Sequence, residues 1–169
     1  MSSRASEHPT YTQSGLLVLL GLVSVALVMG AVAIQIFGSQ DPCPLCIVLR
    51  YIFLLIAVAA FGGAFVRKRG GRVGIALFIL VASLAGAAVS GRLVYLEFNP
   101  FASCGRDVMQ LWTDAIPLAQ WWPTVFQATG MCGAAYPPIL GLSLAEWSLI
   151  AFMAIVVSVS IGLWRARRP

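Results

Sequence analysis

The stretch Cys43–Val66, CPLCIVLRYIFLLIAVAAFGGAFV, decides the fold of this chain. From Leu45 to its end it runs for 22 residues with a single charged side chain, that of Arg50. A helix needs roughly 20 apolar residues to cross the hydrocarbon core of a bilayer. Within lipid, the backbone of such a segment satisfies its hydrogen bonds by forming a helix. The stretch therefore predicts a transmembrane helix that begins beside a Cys-x-x-Cys motif.

Three further apolar runs lie on either side of this stretch. They are the uncharged Leu16–Phe37, Val73–Gly91 and Trp147–Trp164. The chain of 169 residues is 60% hydrophobic and 10% charged, whereas soluble domains are about 45–50% apolar and about 25% charged. We predict an all-α membrane protein, a four-helix transmembrane bundle that forms a single domain over residues 1–169. Its spans are expected at about 16–37, 45–66, 73–95 and 147–164.

The first run has a second interpretation, as a cleaved signal peptide. Arg4 precedes the run, and Ala31-Val32-Ala33 resembles a cleavage site of small residues. The run continues through Phe37, however, and is longer than the apolar region of a signal peptide. We therefore interpret it as a membrane span.

The basic residues predict the orientation of the spans, because Lys and Arg accumulate at their cytoplasmic ends. With four spans, eight of the eleven basic residues fall on one side, in the N-terminal tail, the cluster Arg67–Arg72 and the C-terminal tail. Five of the six acidic residues fall on the other side. Both termini are therefore predicted to be cytoplasmic, with outer loops at about 38–44 and 96–146. The net charge of +5 then reflects membrane topology, and we expect no nucleic-acid partner.

All four cysteines, Cys43, Cys46, Cys104 and Cys132, lie on the predicted outer side. An even number of exported thiols predicts disulfide chemistry rather than a reduced cytosolic state. Their pairing is open at this point, since four cysteines permit three connectivities. A disulfide between Cys104 and Cys132 with a purely structural role is one alternative. We predict no metal site, because structural zinc sites usually have two tight cysteine pairs and this chain has one.

The motif Cys43-Pro44-Leu45-Cys46 stands at a predicted helix start, where proline is favoured in the first turn. A helix N-terminus and a nearby cation both favour the thiolate form of cysteine. Arg50 follows Cys46 by four residues and Cys43 by seven, which places all three on one helix face. Since a charge within a span costs free energy, we predict that Arg50 stabilises a thiolate and binds a polar ligand. Alternatively, it extends to the lipid headgroups.

Large apolar side chains alternate with polar ones in the long outer loop, among them Trp112, Trp121, Trp122 and Phe126. Because tryptophan prefers the membrane–water interface, we predict a short amphipathic helix along the membrane surface between spans three and four. The alternative is that these aromatic residues pack on the helix bundle. Either arrangement would hold the second cysteine pair near the first.

These motifs together resemble a known family, that of disulfide bond formation protein B, the DsbB family of bacterial inner membranes. The resemblance covers nearly all of the chain except its polar tails. It is carried by Cys43-x-x-Cys46 with Arg50, Pro100-Phe101-Ala102-Ser103-Cys104, Pro117-Leu118-x-x-Trp121-x-Pro123-x-Val125-Phe126 running to Cys132, and Leu140-Gly141-Leu142 leading to Trp147.

The resemblance implies a protein-dithiol:quinone oxidoreductase of the bacterial inner membrane, with its four cysteines as catalytic residues on the periplasmic side. A reduced thioredoxin-like partner, DsbA, would attack Cys104 of a Cys104–Cys132 disulfide. Cys132 would then exchange with Cys43, which frees Cys46 to react with ubiquinone or menaquinone. By the same resemblance, Arg50 would bind the quinone.

Two other functions are less consistent with the sequence. Quinone-linked oxidoreductases of the vitamin K epoxide reductase type place their tight cysteine pair late in the chain, whereas here it opens the second span. A structural membrane protein or transporter subunit with inert disulfides would not need Arg50 in helical phase with Cys43 and Cys46.

Overall fold

A computed structural model of the chain describes residues 8–38, 41–66, 68–99, 111, 113, 115–130 and 138–167. The described residues form helices and loops without a β-strand, apart from an isolated bridge between Ile139 and Leu142. The helices are α1 (His8–Gly38), α2 (Pro44–Phe65), α3 (Arg69–Phe98), α4 (Pro117–Trp121), α5 (Pro123–Phe126) and α6 (Leu144–Arg167). The prediction of an all-α fold is confirmed.

Four of these helices, α1, α2, α3 and α6, are long and apolar enough to cross a membrane. Each coincides with one of the predicted spans to within a few residues or extends beyond it, so the prediction of four candidate spans is confirmed. The helix α3 extends beyond the predicted 73–95 at both ends and has 30 residues, about 45 Å of helix. The short helices α4 and α5 lie where the interfacial helix was expected. Their position relative to the membrane stays a prediction.

The four long helices pack in chain order. Helix α1 lies against α2, α2 against α3, and α3 against α6, whereas α1 and α6 have few direct contacts. The core between them is apolar, with Ile56 and Ile79 fully buried. At its centre the rings of Phe53 and Phe152 stack with centroids 4.1 Å apart. The bundle therefore has three well-packed helix interfaces and one loose seam, between α1 and α6.

The outer faces of the long helices carry large exposed apolar side chains. Phe37 is 88% exposed, Val58 71% and Val81 65%, one on each of the first three helices. Patches of this kind cost free energy in water but not in hydrocarbon. The exposed faces therefore indicate a multi-pass membrane protein with lipid around the bundle.

At one end of the bundle, a residue of the basic cluster that was predicted to lie on the cytoplasmic side links three helices. Arg72 of α3 donates from Nε to the carbonyl of Val66, which follows α2, over 2.7 Å. Its Nη2 donates to Ser14 Oγ of α1 over 3.0 Å. Arg72 thus satisfies a carbonyl at the end of α2 and joins the ends of α1, α2 and α3.

The start of α6 is set by a tight turn and a capping box. Gly141, with φ of 86°, follows Leu140, with φ of 54°, and both lie in the left-handed region that favours glycine. The amide of Ser143 donates to Glu146 Oε2 over 2.8 Å, and the amide of Glu146 donates to Ser143 Oγ over 3.2 Å. This reciprocal pair satisfies two backbone amides that lack helical partners. As a result, α6 begins at Leu144, three residues before the predicted span.

A glycine allows α3 and α6 to approach closely. Gly86 is buried, and a methyl group at its Cα would overlap the ring of Phe152. Phe152 is fully buried and stacks on Phe53, so it has little room to move away. A side chain at position 86 would therefore overpack the centre of the bundle.

We predict that Gly86→Ala destabilises the protein by about 1–3 kcal/mol, the usual cost of overpacking a core. Gly91→Ala in the same helix is the matched control, because nothing lies within 4 Å of the added methyl group. Unfolding in detergent, followed by circular dichroism with increasing dodecyl sulfate, measures the difference. Equal stability of the two variants would contradict this account of the α3–α6 contact.

Candidate functional site

The Cys-x-x-Cys motif forms the first turn of α2. Cys43 is the N-cap residue, with extended backbone at φ −77° and ψ 161°, and Pro44 occupies the first helical position. The Cys43 Sγ accepts a hydrogen bond from the amide of Cys46 over 3.3 Å. The two Sγ atoms lie 2.7 Å apart. Both thiols are therefore on one side of the turn, close enough to form a disulfide with a small movement.

The environment of Cys43 favours its thiolate. A hydrogen bond with the Cys46 thiol is the main cause that lowers the pKa of Cys43 below its ordinary value, and backbone amides of the turn add to the effect. Burial opposes this shift but does not cancel it. The amides at a helix N-terminus point their partial positive charge at the cap, where an anion is stabilised. Cys43 is therefore suited to act as a nucleophile or as a leaving group.

Arg50 lies two turns into α2 and is only 5% exposed. Its Nη1 donates to the backbone carbonyl of Val125, and its Nη2 donates to Gln35 Oε1 of α1 over 2.7 Å. In the described part of the chain, both partners are neutral oxygen atoms rather than carboxylates. Contacts with the described residues thus use two of the five N–H groups of the guanidinium, which leaves three that these residues do not occupy.

Cys46 and Arg50 face a common cavity of about 90 Å³. Their shared face agrees with the helical phase expected from the sequence. The other lining residues are mostly apolar and come from all four long helices: Leu27, Val28 and Ala31 of α1, Leu49 and Phe53 of α2, Leu93 of α3, and Leu144, Ala145, Trp147 and Ser148 of α6. The cavity lies beside the loose α1–α6 seam. It is an apolar pocket with one thiol and one guanidinium.

The outer segment of residues 117–130 is docked on the N-terminal end of α2. The amides of Thr129 and Gly130 both donate to the carbonyl of Pro42 over 3.1 Å, and Thr129 Oγ1 donates to Asp41 Oδ1 over 3.0 Å. A Cβ at Gly130 would overlap the backbone of Asp41, so the close approach requires glycine. The segment thus adjoins the residue immediately before Cys43.

The aromatic residues of this segment divide between the two alternatives left by the sequence. Phe126 is 4% exposed, and its ring stacks on Tyr51 of α2 with centroids 5.2 Å apart. Trp121 and Trp122 are 79% and 70% exposed. Phe126 therefore packs on the bundle, whereas the two tryptophans are exposed, and their position at the membrane surface stays a prediction.

Two of the predicted site residues, Cys104 and Cys132, lie outside the residues that the structure describes. The structure therefore brings together Cys43, Cys46 and Arg50 of the predicted set. Within the described residues, no group of three or more histidine, cysteine, aspartate or glutamate side chains could hold a metal ion.

Gln35, which contacts both Arg50 and the docked segment, was not predicted from the sequence. Neither was the hydrogen bond of Thr129 to Asp41, which joins the two loops expected on the outer side. A signal for Gln35 was present, since it is the one amide side chain within the apolar run Leu16–Phe37. Nothing in the local sequence indicated the pairing of Asp41 with Thr129, which are 88 residues apart.

Comparison with known proteins identifies the family. A sequence model described as "Disulfide bond formation protein DsbB" matches residues 13–161. The chain belongs to the DsbB family. It is 47% identical over 152 residues to disulfide bond formation protein B 1 of Pseudomonas fluorescens, which covers 90% of each chain. It has the same identity and coverage with disulfide bond formation protein B of Burkholderia thailandensis.

Membership of the DsbB family confirms the resemblance found in the sequence. It identifies the chain as a membrane thiol oxidoreductase with a role in disulfide bond formation. The Cys-x-x-Cys pair at the start of α2 has the geometry and the electrostatic environment that such chemistry needs.

We predict that the Cys43 thiolate forms at a lower pH than that of a free cysteine, whose pKa is about 8.5. The rate of iodoacetamide alkylation against pH, measured by peptide mass spectrometry with Cys104 and Cys132 replaced by serine, gives the midpoint. Cys46→Ala should raise this midpoint, because it removes the thiol that hydrogen-bonds Cys43. Cys46→Ser retains a donor and should raise it less. Identical midpoints for all three proteins would show that Cys46 does not set the pKa of Cys43.

Proposed function

We propose that this DsbB-family protein reoxidises a periplasmic DsbA-like dithiol oxidase and passes the electrons to a membrane quinone, ubiquinone or menaquinone. One observation carries the proposal. The first turn of α2 presents Cys46 to an apolar cavity that contains Arg50, while Cys43 adjoins the docked outer segment. A single cysteine pair is thus placed between an apolar pocket and a loop at the bundle end.

The orientation follows from the distribution of charge and is part of the proposal. Arg72, Lys68 and Arg69 lie at the end of the bundle opposite Cys43, whereas Asp41 lies beside it. Basic residues favour the cytoplasmic side of a bacterial inner membrane. The Cys43 end would then face the periplasm, where disulfides form and persist.

The residues around the cavity fit a quinone. Its walls are apolar, as a ring with a hydrocarbon tail requires, and Arg50 has N–H groups to donate to a carbonyl oxygen. The cavity is smaller than the roughly 150 Å³ that accommodates benzene, so a substituted ring also needs space from the α1–α6 seam. When bound, a quinone would supply the electron acceptor, since it takes up two electrons and two protons. Cys46 and Arg50 are the residues proposed to contact it.

Docking of residues 117–130 supports exchange between the two cysteine pairs. Cys132 follows Gly130 by two residues, and consecutive Cα atoms are about 3.8 Å apart, so its Cα is within about 7.6 Å of that of Gly130. The amide of Gly130 in turn bonds the carbonyl of Pro42, the residue before Cys43. Gly130, from which a two-residue connection leads to Cys132, is therefore held beside Cys43, which supports the proposed exchange.

The proposed relay balances at each exchange. A thiolate of the reduced partner attacks Cys104 of the Cys104–Cys132 disulfide, forms a mixed disulfide and releases Cys132 as a thiolate. That thiolate attacks Cys43 of the Cys43–Cys46 disulfide and releases Cys46 as a thiolate. The second thiol of the partner displaces Cys104, which leaves the partner oxidised. Cys104 then attacks Cys132 and displaces Cys43, which restores the Cys104–Cys132 disulfide and leaves the two electrons on the Cys43 and Cys46 thiols. Because DsbA is a strong oxidant, at about −120 mV, its reoxidation requires an even stronger acceptor, and a quinone meets this need.

The proposal predicts quinone reduction that depends on the dithiol. The purified protein is reconstituted with ubiquinone and a reduced thioredoxin-like periplasmic dithiol, and quinone absorbance is followed. Cys46→Ser and Cys104→Ser should each abolish turnover, because each removes one exchange step. Omitting the dithiol controls for background reduction. If no quinone is consumed and the cysteines resist mild reductant, the disulfides are structural and the proposal is wrong.

Gly130→Ala should slow exchange between the two cysteine pairs, because the added methyl group displaces residues 129 and 130 from Pro42. We expect about a tenfold lower kcat with the dithiol, the effect of losing one to two hydrogen bonds that position the reacting groups. Gly141→Ala is unsuitable as a control because of its positive φ, so Gly62→Ala, with open space at its Cα, is used. An unchanged kcat for Gly130→Ala would rule out a role for this docking.

A further inference from the structure

The side-chain amide of Gln35 connects the guanidinium of Arg50 to the docked outer segment. Its Oε1 accepts from Arg50 Nη2 over 2.7 Å, and its Nε2 donates to the carbonyl of Thr124 over 2.6 Å. Both ends of the amide are therefore in use, and the acceptor end faces the cation. Gln35 belongs to α1, Arg50 to α2 and Thr124 to α5, so the amide joins three separate elements.

We propose that Gln35 is a positioning residue for Arg50, which holds the guanidinium so that its remaining N–H groups face the cavity. The inference rests on the proposed function, because the ligand of those N–H groups is the quinone. Gln35 itself does not line the cavity in the described structure, and it acts through Arg50.

The planarity of the guanidinium explains why two anchors are needed. Nη1 is fixed by the carbonyl of Val125 and Nη2 by Gln35, and two fixed nitrogen atoms define the plane of the group. With Val125 as the only anchor, the guanidinium could rotate about the remaining hydrogen bond. The direction of its free N–H groups would then vary, and a quinone would bind only to the fraction with the correct direction.

This role is separable from docking of the outer segment. The segment is also held by hydrogen bonds from Thr129 and Gly130 to residues 41 and 42. In addition, the ring of Phe126 stacks on that of Tyr51. Loss of Gln35 removes one of several attachments of the outer segment. It also removes one of the two hydrogen bonds that hold the Arg50 guanidinium, which is a larger share. The larger effect is therefore expected at the quinone.

The test is quinone affinity, measured without any dithiol. Gln35→Met keeps the length of an unbranched side chain and removes the acceptor. Equilibrium dialysis of a short-chain ubiquinone against the purified protein in detergent should give a Kd about tenfold higher than wild type, the effect of one lost hydrogen bond. Gln35→Glu keeps an oxygen acceptor for Arg50, and its Kd should stay within about threefold of wild type because that bond persists.

Thr129→Val is the matched control, because it removes a hydrogen bond of the same outer segment to Asp41 without touching Arg50. Its quinone Kd should match that of wild type. A Kd unchanged by Gln35→Met, or raised as much by Thr129→Val, would overturn the inference and leave the proposed function intact. If the wild-type protein binds neither a short-chain ubiquinone nor a short-chain menaquinone, the proposed function fails and this inference with it.

Discussion

The hydrogen bonds of the Arg50 guanidinium constrain much of the structure around it. An almost fully buried cation near the end of a membrane helix is costly unless polar groups surround it, and here these groups come from outside α2. One is the side chain of Gln35 on α1, and the other is the backbone carbonyl of Val125 in the outer segment. The register of α1 against α2 and the docking of the outer segment are therefore both tied to one charge.

This arrangement places two chemical environments within a single helical turn. Cys43 lies at the N-cap, beneath the backbone of residues 129 and 130, where amides and a neighbouring thiol stabilise negative charge. Cys46 lies on the cavity side with Arg50. At the helix start, the Cys43 sulfur thus adjoins a polar loop region, and the neighbouring Cys46 sulfur adjoins an apolar pocket. No long-range movement of α2 is needed for the pair to face both.

The fold was largely predictable from the sequence, because lipid imposes simple rules on composition and length. The four runs, the helix start at Cys43 and the shared face of Cys46 and Arg50 all follow from local pattern. The contacts of Arg50 could not be predicted from local pattern, since Val125 is 75 residues away. Val125 accepts through its backbone carbonyl, which every residue has, so its side chain gives no signal in the sequence. Likewise the sequence left open whether the outer aromatics pack or face lipid. Phe126 is buried against the bundle whereas Trp121 is exposed, a difference that depends on tertiary docking.

The order in which the helices pack has a consequence for biogenesis. Every extensive interface joins spans that are consecutive in the chain, whereas the first span and the last have few direct contacts. Each hairpin can therefore form as soon as its second helix enters the membrane, without waiting for a distant segment, and local contacts of this kind favour rapid assembly. The bundle of four helices is completed when the final helix, α6, packs against α3. The sparse contact between α1 and α6, which both line the pocket, is also where a lipid-soluble molecule would have to separate the fewest side chains to reach it without crossing water.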